Sequence, residues 1–219
     1  MLLQNNIAAA ILAGAAVIVC VWQIVVGDDI VVRAHYAFGV VPAVLGKHAN
    51  VPPELSFMFA PLRLLTSLLL HENFLVLSVN VGALLLFGRT AEIACKPLRA
   101  GSIFLCGGIF AGLVICIFAP VSTHAFVGLQ GAVSAMFGCR LVLQSDSTTE
   151  LLPGTALRFL RSGRSVTALG FLAWMVVAVS ATTPDAQLYS ALLPAYTTSA
   201  AVGAILGLIL KERAWRPGL

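Results

Sequence analysis

The sequence predicts an all-α integral membrane protein in which six transmembrane helices form one bundle. The first observation is composition, because 59% of the 219 residues are hydrophobic and only 10% are charged, whereas soluble domains carry about 25% charged residues. The second is that the apolar residues fall into six stretches near the ~20 residues that cross a bilayer. The third is the uneven distribution of Lys and Arg. The net charge of +4 is too small and too dispersed to favour a nucleic-acid partner.

Each predicted span is a mainly apolar run. The spans are Ile7–Val26, Phe74–Ile93, Gly101–Phe118, Val127–Leu143, Ser165–Ala181 and Leu188–Leu210. A long linker, Gly27–Glu72, separates the first two spans and contains four prolines, yet it remains apolar. Such a segment is too broken to span the bilayer and too apolar for free solution. We therefore predict a partly helical, interfacial loop between helices 1 and 2.

The basic residues predict the orientation of the bundle. Ten of the 13 Lys and Arg residues lie in or beside the 2–3 connection, the 4–5 connection and the C-terminal tail, and the linker carries the other three. Because basic residues favour cytoplasmic loops, we expect both termini to be cytoplasmic and the linker to face outward. We expect the location to be a bacterial inner membrane.

Small residues at four-residue spacing predict how the spans pack. The stripes are Gly107, Ala111 and Ile115 in span 3, Gly131, Ala135 and Cys139 in span 4, and Ser199, Gly203 and Gly207 in span 6. Small residues allow helices to approach closely in lipid. Spans 4 and 6 are therefore predicted to be closely packed central helices.

A few polar residues lie inside these apolar segments. Asn80, Gln130 and Tyr196 are expected to lie at similar depth below the linker side of the bundle, and each needs a partner because an unpartnered polar group in a membrane is costly. The five cysteines have no metal-ligand spacing, and the chain has no HExxH, paired-aspartate, P-loop or dinucleotide motif. We therefore expect no metal and no cofactor.

Three motifs resemble the rhomboid family of intramembrane serine proteases. "LRLLTSLLLHENFLVLSVNVGALLLFGRTAE" is similar to the block around the family's second span, through Arg63, His71, Asn80, Gly88 and Glu92. "GLQGA" resembles the Gly-x-Ser-Gly-Ala motif, with Gly128 and Gly131 in place, and "AYTTSAAVGAILG" resembles the last span, including Gly203. The resemblance covers about Tyr36 to Leu210. It implies a single rhomboid-like domain over residues 1–219.

The resemblance also implies that the protease chemistry is missing. Gln130 stands where rhomboids place the serine nucleophile, Tyr196 where they place the histidine base, and Val76 where they place a histidine that stabilises the oxyanion. Asn80 alone is retained. A carboxamide is neither a nucleophile nor a base, and a phenol with a pKa near 10 is a poor base. Ser134 and His124 are interpreted as a helix-packing serine and an interfacial histidine.

The sequence therefore favours a catalytically inactive pseudoprotease. We expect it to bind transmembrane helices of integral membrane partners as an assembly factor, a chaperone or a subunit of a larger complex. The alternative is an enzyme, small-molecule binder or transporter that uses the remodelled cluster of Asn80, Gln130 and Tyr196. We favour the first because amides and a phenol suffice for hydrogen bonding but not for proton transfer. We also expect a filled site, with the Gln130 amide hydrogen-bonded to Asn80, to Tyr196 or to nearby backbone.

Overall fold

The fold is a bundle of α-helices. A computed structural model describes residues 7–49, 60–144, 163–180 and 186–211, and in these ranges there is no strand beyond one isolated bridge. The helices are α1 (Ile7–Val26), α2 (Asp28–Phe38), α3 (Pro42–Leu45), α4 (Arg63–Thr66), α5 (Phe74–Cys95), α6 (Pro97–Phe118), α7 (Gln130–Leu143), α8 (Gly163–Ser180) and α9 (Ala186–Leu210). The predicted all-α membrane fold is confirmed.

Four helices in the described ranges are long and apolar enough to cross a membrane. They lie at Ile7–Val26, Phe74–Cys95, Pro97–Phe118 and Ser190–Leu210. The fourth and fifth predicted spans correspond to the shorter apolar helices α7 and α8, and Ala181, the predicted end of the fifth span, lies outside the described residues. The count of six full-length spans therefore stays a prediction.

Helix α7 begins at Gln130, three residues later than the sequence predicts. The residues just before Gln130 make backbone hydrogen bonds with the linker and therefore do not form a helical turn. Phe126 donates its N–H to the Val40 carbonyl at 2.7 Å, and the Gly128 N–H donates to the Ser67 carbonyl at 2.8 Å. Gly128 also has φ +115°, a left-handed conformation that glycine adopts without strain.

The core of the bundle is α7, which is buried at every residue from Gln130 to Cys139. Small residues cause this close packing. A Cβ added to Gly131 would collide with Ala111 of α6, and one added to Gly203 would collide with the Ala135 carbonyl. The predicted stripes are confirmed, and α7 is central as expected. Helix α9 packs closely on α7 but keeps an exposed outer face that includes Ile205 and Ile209.

Helix α1 packs on α5 through small side chains and carries its large ones outward. Its inner stripe is Ala9, Ala13, Ala16 and Cys20. A Cβ on Gly88 would lie 3.2 Å from the Ala9 Cβ, so the two helices are nearly in contact there. Glu92 of α5 accepts the backbone N–H groups of Ala8 at 3.1 Å and Ala9 at 2.7 Å. These bonds cap the first turn of α1, where unpaired N–H groups favour a negative charge.

The described parts of the linker, residues 27–49 and 60–72, cover one end of the bundle and contain α2, α3 and α4. Arg63 is buried and donates to the Tyr36 carbonyl at 2.9 Å, and Thr66 donates to the Phe38 carbonyl at 2.6 Å. We call this end, with residues 27–49, 60–73 and 119–129, the linker face. The opposite end, where α1 begins, α9 ends and α5 turns into α6, is called the terminal face.

Candidate functional site

Asn80 lies on the inner face of α5 and faces α8. Its side chain is 0% exposed, and its Oδ1 accepts a hydrogen bond of 3.1 Å from the Trp174 indole N–H. The expectation that Asn80 needs a partner within the bundle is therefore confirmed. The partner is a tryptophan of the neighbouring helix, and it was not predicted. The other amide atom, Nδ2, has no hydrogen-bond partner among the described residues.

Trp174 connects Asn80 to Tyr196. The Trp174 and Tyr196 ring centroids are 6.0 Å apart with an interplanar angle of 54°, and Tyr196 is 0% exposed. Phe171 stacks on Trp174 at 5.3 Å and on Phe137 of α7 at 3.8 Å. Aromatic pairs at such distances add to the free energy of packing. This aromatic series joins α7, α8 and α9 and fills the interior beside Asn80.

Gln130 is the first residue of α7 and is also 0% exposed. Its amide lies against Gly128, because a Cβ added to Gly128 would collide with the Gln130 Oε1. Neither Oε1 nor Nε2 has a hydrogen-bond partner in the described part of the chain. The expected burial is confirmed, and the expected hydrogen bond to Asn80, Tyr196 or backbone is wrong. Because α7 begins at this residue, the side chain lies beside the preceding loop.

Val76 is the last of the four positions that the rhomboid resemblance aligns with the protease site, after Asn80, Gln130 and Tyr196. It lies one turn before Asn80 on the same helix and is 1% exposed. Its backbone N–H donates to the Asn73 side chain at 2.9 Å, which caps the start of α5. The Val76 side chain therefore contributes only hydrocarbon to the interior.

The structure brings Asn80 and Tyr196 together around Trp174, and it joins Gln130 to neither by a hydrogen bond. The interior site lies beneath the linker face, because Val76 is in the first turn of α5 and Gln130 is the first residue of α7. Ser134, the other hydroxyl near Gln130, donates to the Gln130 carbonyl at 2.8 Å. That bond is internal to α7, in agreement with the interpretation of Ser134 as a helix-packing residue.

A second polar cluster lies at the linker face, and the sequence did not predict it. The Gln23 amide of α1 pairs with the backbone of His71: its Nε2 donates to the His71 carbonyl at 2.9 Å, and its Oε1 accepts the His71 N–H at 3.1 Å. The same Nε2 lies 2.8 Å from the Nε2 of His35. Because the two backbone bonds determine which way the amide points, the His35 Nε2 must accept, which requires a neutral ring protonated at Nδ1.

Electrostatics at this cluster favour neutral imidazoles. Burial lowers the pKa of His35 below its ordinary value, with Glu72 opposing and His124 reinforcing the shift. Burial lowers the pKa of His71 to about 4. His124 lies 3.9 Å from Glu72, in the connection before α7. In the described ranges, no group of His, Cys, Asp and Glu side chains has a geometry that could hold a metal ion.

The family of the chain follows from a comparison with known protein families. Residues 59–213, well over half of the chain, match the Rhomboid domain. The chain belongs to the rhomboid family. Rhomboid domains occur both in proteases and in inactive relatives, so membership does not decide between them. A search of curated proteins finds no match.

The rhomboid motif residues have structural roles in this chain. Arg63 forms a hydrogen bond between two parts of the linker, and Glu92 caps the start of α1. Because Gly88 has no side chain, α1 can pack closely on α5. In the same way, Gly131 and Gly203 allow α6 and α9 to pack closely on α7. His71 holds the end of the linker to α1 through its backbone. The sequence does contain a signal for Trp174. Its indole N–H lies in the fifth predicted span and, like the Asn80 amide, needs a hydrogen-bond partner in lipid.

Proposed function

We propose that this rhomboid-family protein is non-proteolytic and binds transmembrane helices of other membrane proteins. The observation that carries the proposal is the enclosed interior site. Asn80, Gln130 and Tyr196 are 0% exposed and Val76 is 1% exposed. Hydrolysis requires an activated nucleophile, a base and access for water, and a buried amide, a buried phenol and a valine supply none of these.

Asn80 further supports the proposal, because its carbonyl oxygen already accepts from Trp174. A neighbouring aromatic residue therefore uses an atom that a substrate or a catalytic group would otherwise contact. The site is better suited to holding α5, α8 and α9 together than to chemistry. In this proposal the rhomboid fold is retained, and the side chains of the interior site serve to pack the helices together.

Two outward-facing positions support helix binding. Gly82 of α5 and Gly170 of α8 have no other heavy atom within 4 Å of where a Cβ would lie, so they offer space at the outer surface. Ser78, one turn before Gly82, is exposed and donates to the Phe74 carbonyl of its own helix. Small residues on a lipid-facing surface let a second helix approach closely. An assembly factor, a chaperone or a complex subunit would each use such a surface.

The first experiment is purification of the tagged protein from its own membrane in mild detergent. We expect a membrane protein to co-purify in stoichiometric amount and the Gly82→Leu variant to reduce that amount. Gly14→Leu is the matched control, because Gly14 of α1 also has nothing within 4 Å of an added Cβ. Absence of any stoichiometric partner would contradict the proposed binding role.

The second experiment tests the absence of proteolysis. We expect no labelling by fluorophosphonate probes and no cleavage of rhomboid substrates. Gln130→Ser combined with Tyr196→His should not restore full activity, since Val76 leaves an oxyanion donor missing, and such a loss costs about 100- to 1,000-fold. Labelling of a serine in the unmodified protein, together with cleavage, would overturn the proposal.

The alternative function is an enzyme or small-molecule binder that uses Asn80, Gln130 and Tyr196. The observation in its favour is that Asn80 Nδ2, both Gln130 amide atoms and the Tyr196 hydroxyl are buried without partners among the described residues. Buried polar atoms usually have a partner, so a small polar molecule is one way to satisfy them. Mass spectrometry of the purified protein would reveal such a molecule, and a molecule lost in Gln130→Leu would favour this alternative.

A further inference from the structure

Two cysteine side chains meet where α5, α7 and α9 come together. Cys95 is the last residue of α5, and Cys139 lies in the second half of α7. Both are reduced thiols and both are 0% exposed. The two thiols share a side-chain hydrogen bond. The contact therefore joins two helices that are neighbours in the bundle but not in the sequence.

Gly207 of α9 lies against both sulfur atoms. The Cys95 thiol donates to the Gly207 carbonyl at 3.8 Å, which is a weak bond because a thiol is a weak donor. A Cβ added to Gly207 would lie 2.7 Å from the Cys139 Sγ, so this sulfur occupies the space that a side chain would need. These two contacts place the sulfur atoms close together independently of the hydrogen bond between them.

A pair of adjacent thiols has a chemistry that a single buried cysteine lacks. A buried thiol packs as a small hydrophobic side chain, but two thiols in contact can also be oxidised to a disulfide, in which the sulfur atoms are about 2.05 Å apart. The disulfide carries no charge, so it suits an apolar interior. Two thiolates around a monovalent metal ion would instead leave a net negative charge there, which is costly.

Cys95 lies at the edge of the bundle, although its own side chain is buried. The next residue, Lys96, is exposed and has φ 70°. That conformation costs free energy in a residue other than glycine, so the end of α5 opens at lower cost than a relaxed turn would. A small, uncharged oxidant can reach the Cys95 sulfur through such an opening. Because this end is expected to be cytoplasmic, the thiols are reduced except under oxidising conditions.

We propose that Cys95 and Cys139 are a redox modification site, at which hydrogen peroxide forms a disulfide that locks α5 to α7. The Cys95 sulfur loses its proton and attacks the peroxide, the O–O bond breaks, and a sulfenic acid and one water form. The Cys139 sulfur then attacks the Cys95 sulfur, the S–O bond breaks, and the Cys139 proton leaves with the hydroxide as a second water. Two thiols and one peroxide thus give one disulfide and two waters. This site does not depend on the proposed helix-binding surface.

The test uses the full chain, purified in detergent with a reductant that is removed before dilute hydrogen peroxide is added. The remaining thiols are blocked with N-ethylmaleimide in denaturant, and peptides are mapped by mass spectrometry with and without reduction. We expect a linked peptide pair that contains Cys95 and Cys139 and that disappears on reduction. The oxidised protein should melt several degrees higher than the reduced one, because a cross-link restricts the unfolded chain. Dithiothreitol should reverse this increase.

Other cysteines of the same chain are the matched controls. Cys20 of α1 is buried, as the pair is, and Cys106 of α6 is exposed. Cys20→Ala and Cys106→Ala should still form the linked peptide pair, whereas Cys95→Ala and Cys139→Ala should not, and peroxide should not raise their melting temperatures.

The native chain alone decides whether the link forms, so the test does not depend on the folding of any variant. A native chain in which Cys95 and Cys139 stay reduced while Cys106 is oxidised would overturn the proposal. Formation of the link without a rise in melting temperature would also overturn it, because α5 and α7 would not then be locked together.

Discussion

At the scale of single residues, two buried glutamines behave in opposite ways. Gln23 makes two hydrogen bonds with the His71 backbone and one with His35. Gln130 is buried more completely, and neither of its amide atoms has a partner among the described residues. A buried polar group stabilises a fold only when it is hydrogen-bonded, and it costs free energy when it is not.

Replacing each glutamine by leucine should therefore change stability in opposite directions. Gln130→Leu removes an unsatisfied amide and should raise the free energy of unfolding by about 1–3 kcal/mol. Gln23→Leu leaves the His71 backbone unpaired and should lower the free energy of unfolding. Thermal unfolding of both variants in detergent is the measurement. A Gln130→Leu protein less stable than the native chain would mean that a ligand or partner uses this amide.

At the scale of helices, small residues decide which segments touch. Gly203 of α9 lies against the Ala135 carbonyl of α7, and Gly138 of α7 lies against Ala200 of α9. The backbones of the two helices are in contact at these points, which is possible only because neither residue has a Cβ. Van der Waals packing of this kind is a main source of helix association in lipid.

Gly203→Ala should therefore destabilise the bundle strongly, because the added methyl group meets backbone that cannot move aside. We expect a loss of several degrees in melting temperature and a weaker α7–α9 contact. Gly170→Ala is the control, since Gly170 of α8 has open space around an added Cβ. Equal melting temperatures for the two variants would contradict this prediction, because they would show that α7 and α9 can move apart at little cost in stability.

The contact between α1, α2 and the end of the linker depends on neutral histidines. The folded-state pKa values of His35 and His71 lie below their ordinary value of 6.5, that of His71 at about 4. The unfolded chain therefore binds protons at a higher pH than the folded one. The stability from these neutral rings is complete above about pH 6.5 and is lost as the pH falls from there toward 4.

We therefore expect the melting temperature to fall between pH 6.5 and pH 4. Glu72 opposes this loss and His124 adds to it, through their charges near His35. His71→Gln should make the profile flatter, because the variant lacks one of the two rings whose pKa is lowered by burial. A melting temperature that is constant over this range in the native chain would contradict the tautomer inferred for His35.

At the scale of the whole molecule, the charge distribution gives the bundle two unlike ends. Among the described residues, the terminal face carries basic side chains that include Lys96, Arg99 and Lys211, while the linker face carries a cluster of three histidines with Glu72. This asymmetry is the property on which membrane orientation depends.

We expect both termini to lie in the cytoplasm. Reporter proteins fused to either end of the chain are the measurement, with a reporter active only in the cytoplasm and one active only outside it. Reversal of three terminal-face residues, as Lys96→Glu, Arg99→Glu and Lys211→Glu together, should disturb the orientation. A native chain with either terminus outside would contradict the prediction.

The sequence by itself determined the fold class, the approximate helices and the close packing of the fourth and sixth predicted spans. Composition, span length and the spacing of Gly131, Ala135 and Gly203 are local properties, and membrane packing follows them directly. It also determined that Asn80 faces inward, because an amide in lipid needs a partner.

Only the tertiary structure decided which partners these polar residues have. The Asn80–Trp174 bond spans 94 residues of sequence and the Gln23–His71 pairing spans 48, and no local pattern encodes such distances. In the structure, α7 begins at Gln130 and not at the predicted Val127, because the backbone groups before Gln130 form hydrogen bonds with the linker. Sequence periodicity reports which face of a helix is buried. Which atoms meet there depends on how the linker and the neighbouring helices lie against that face.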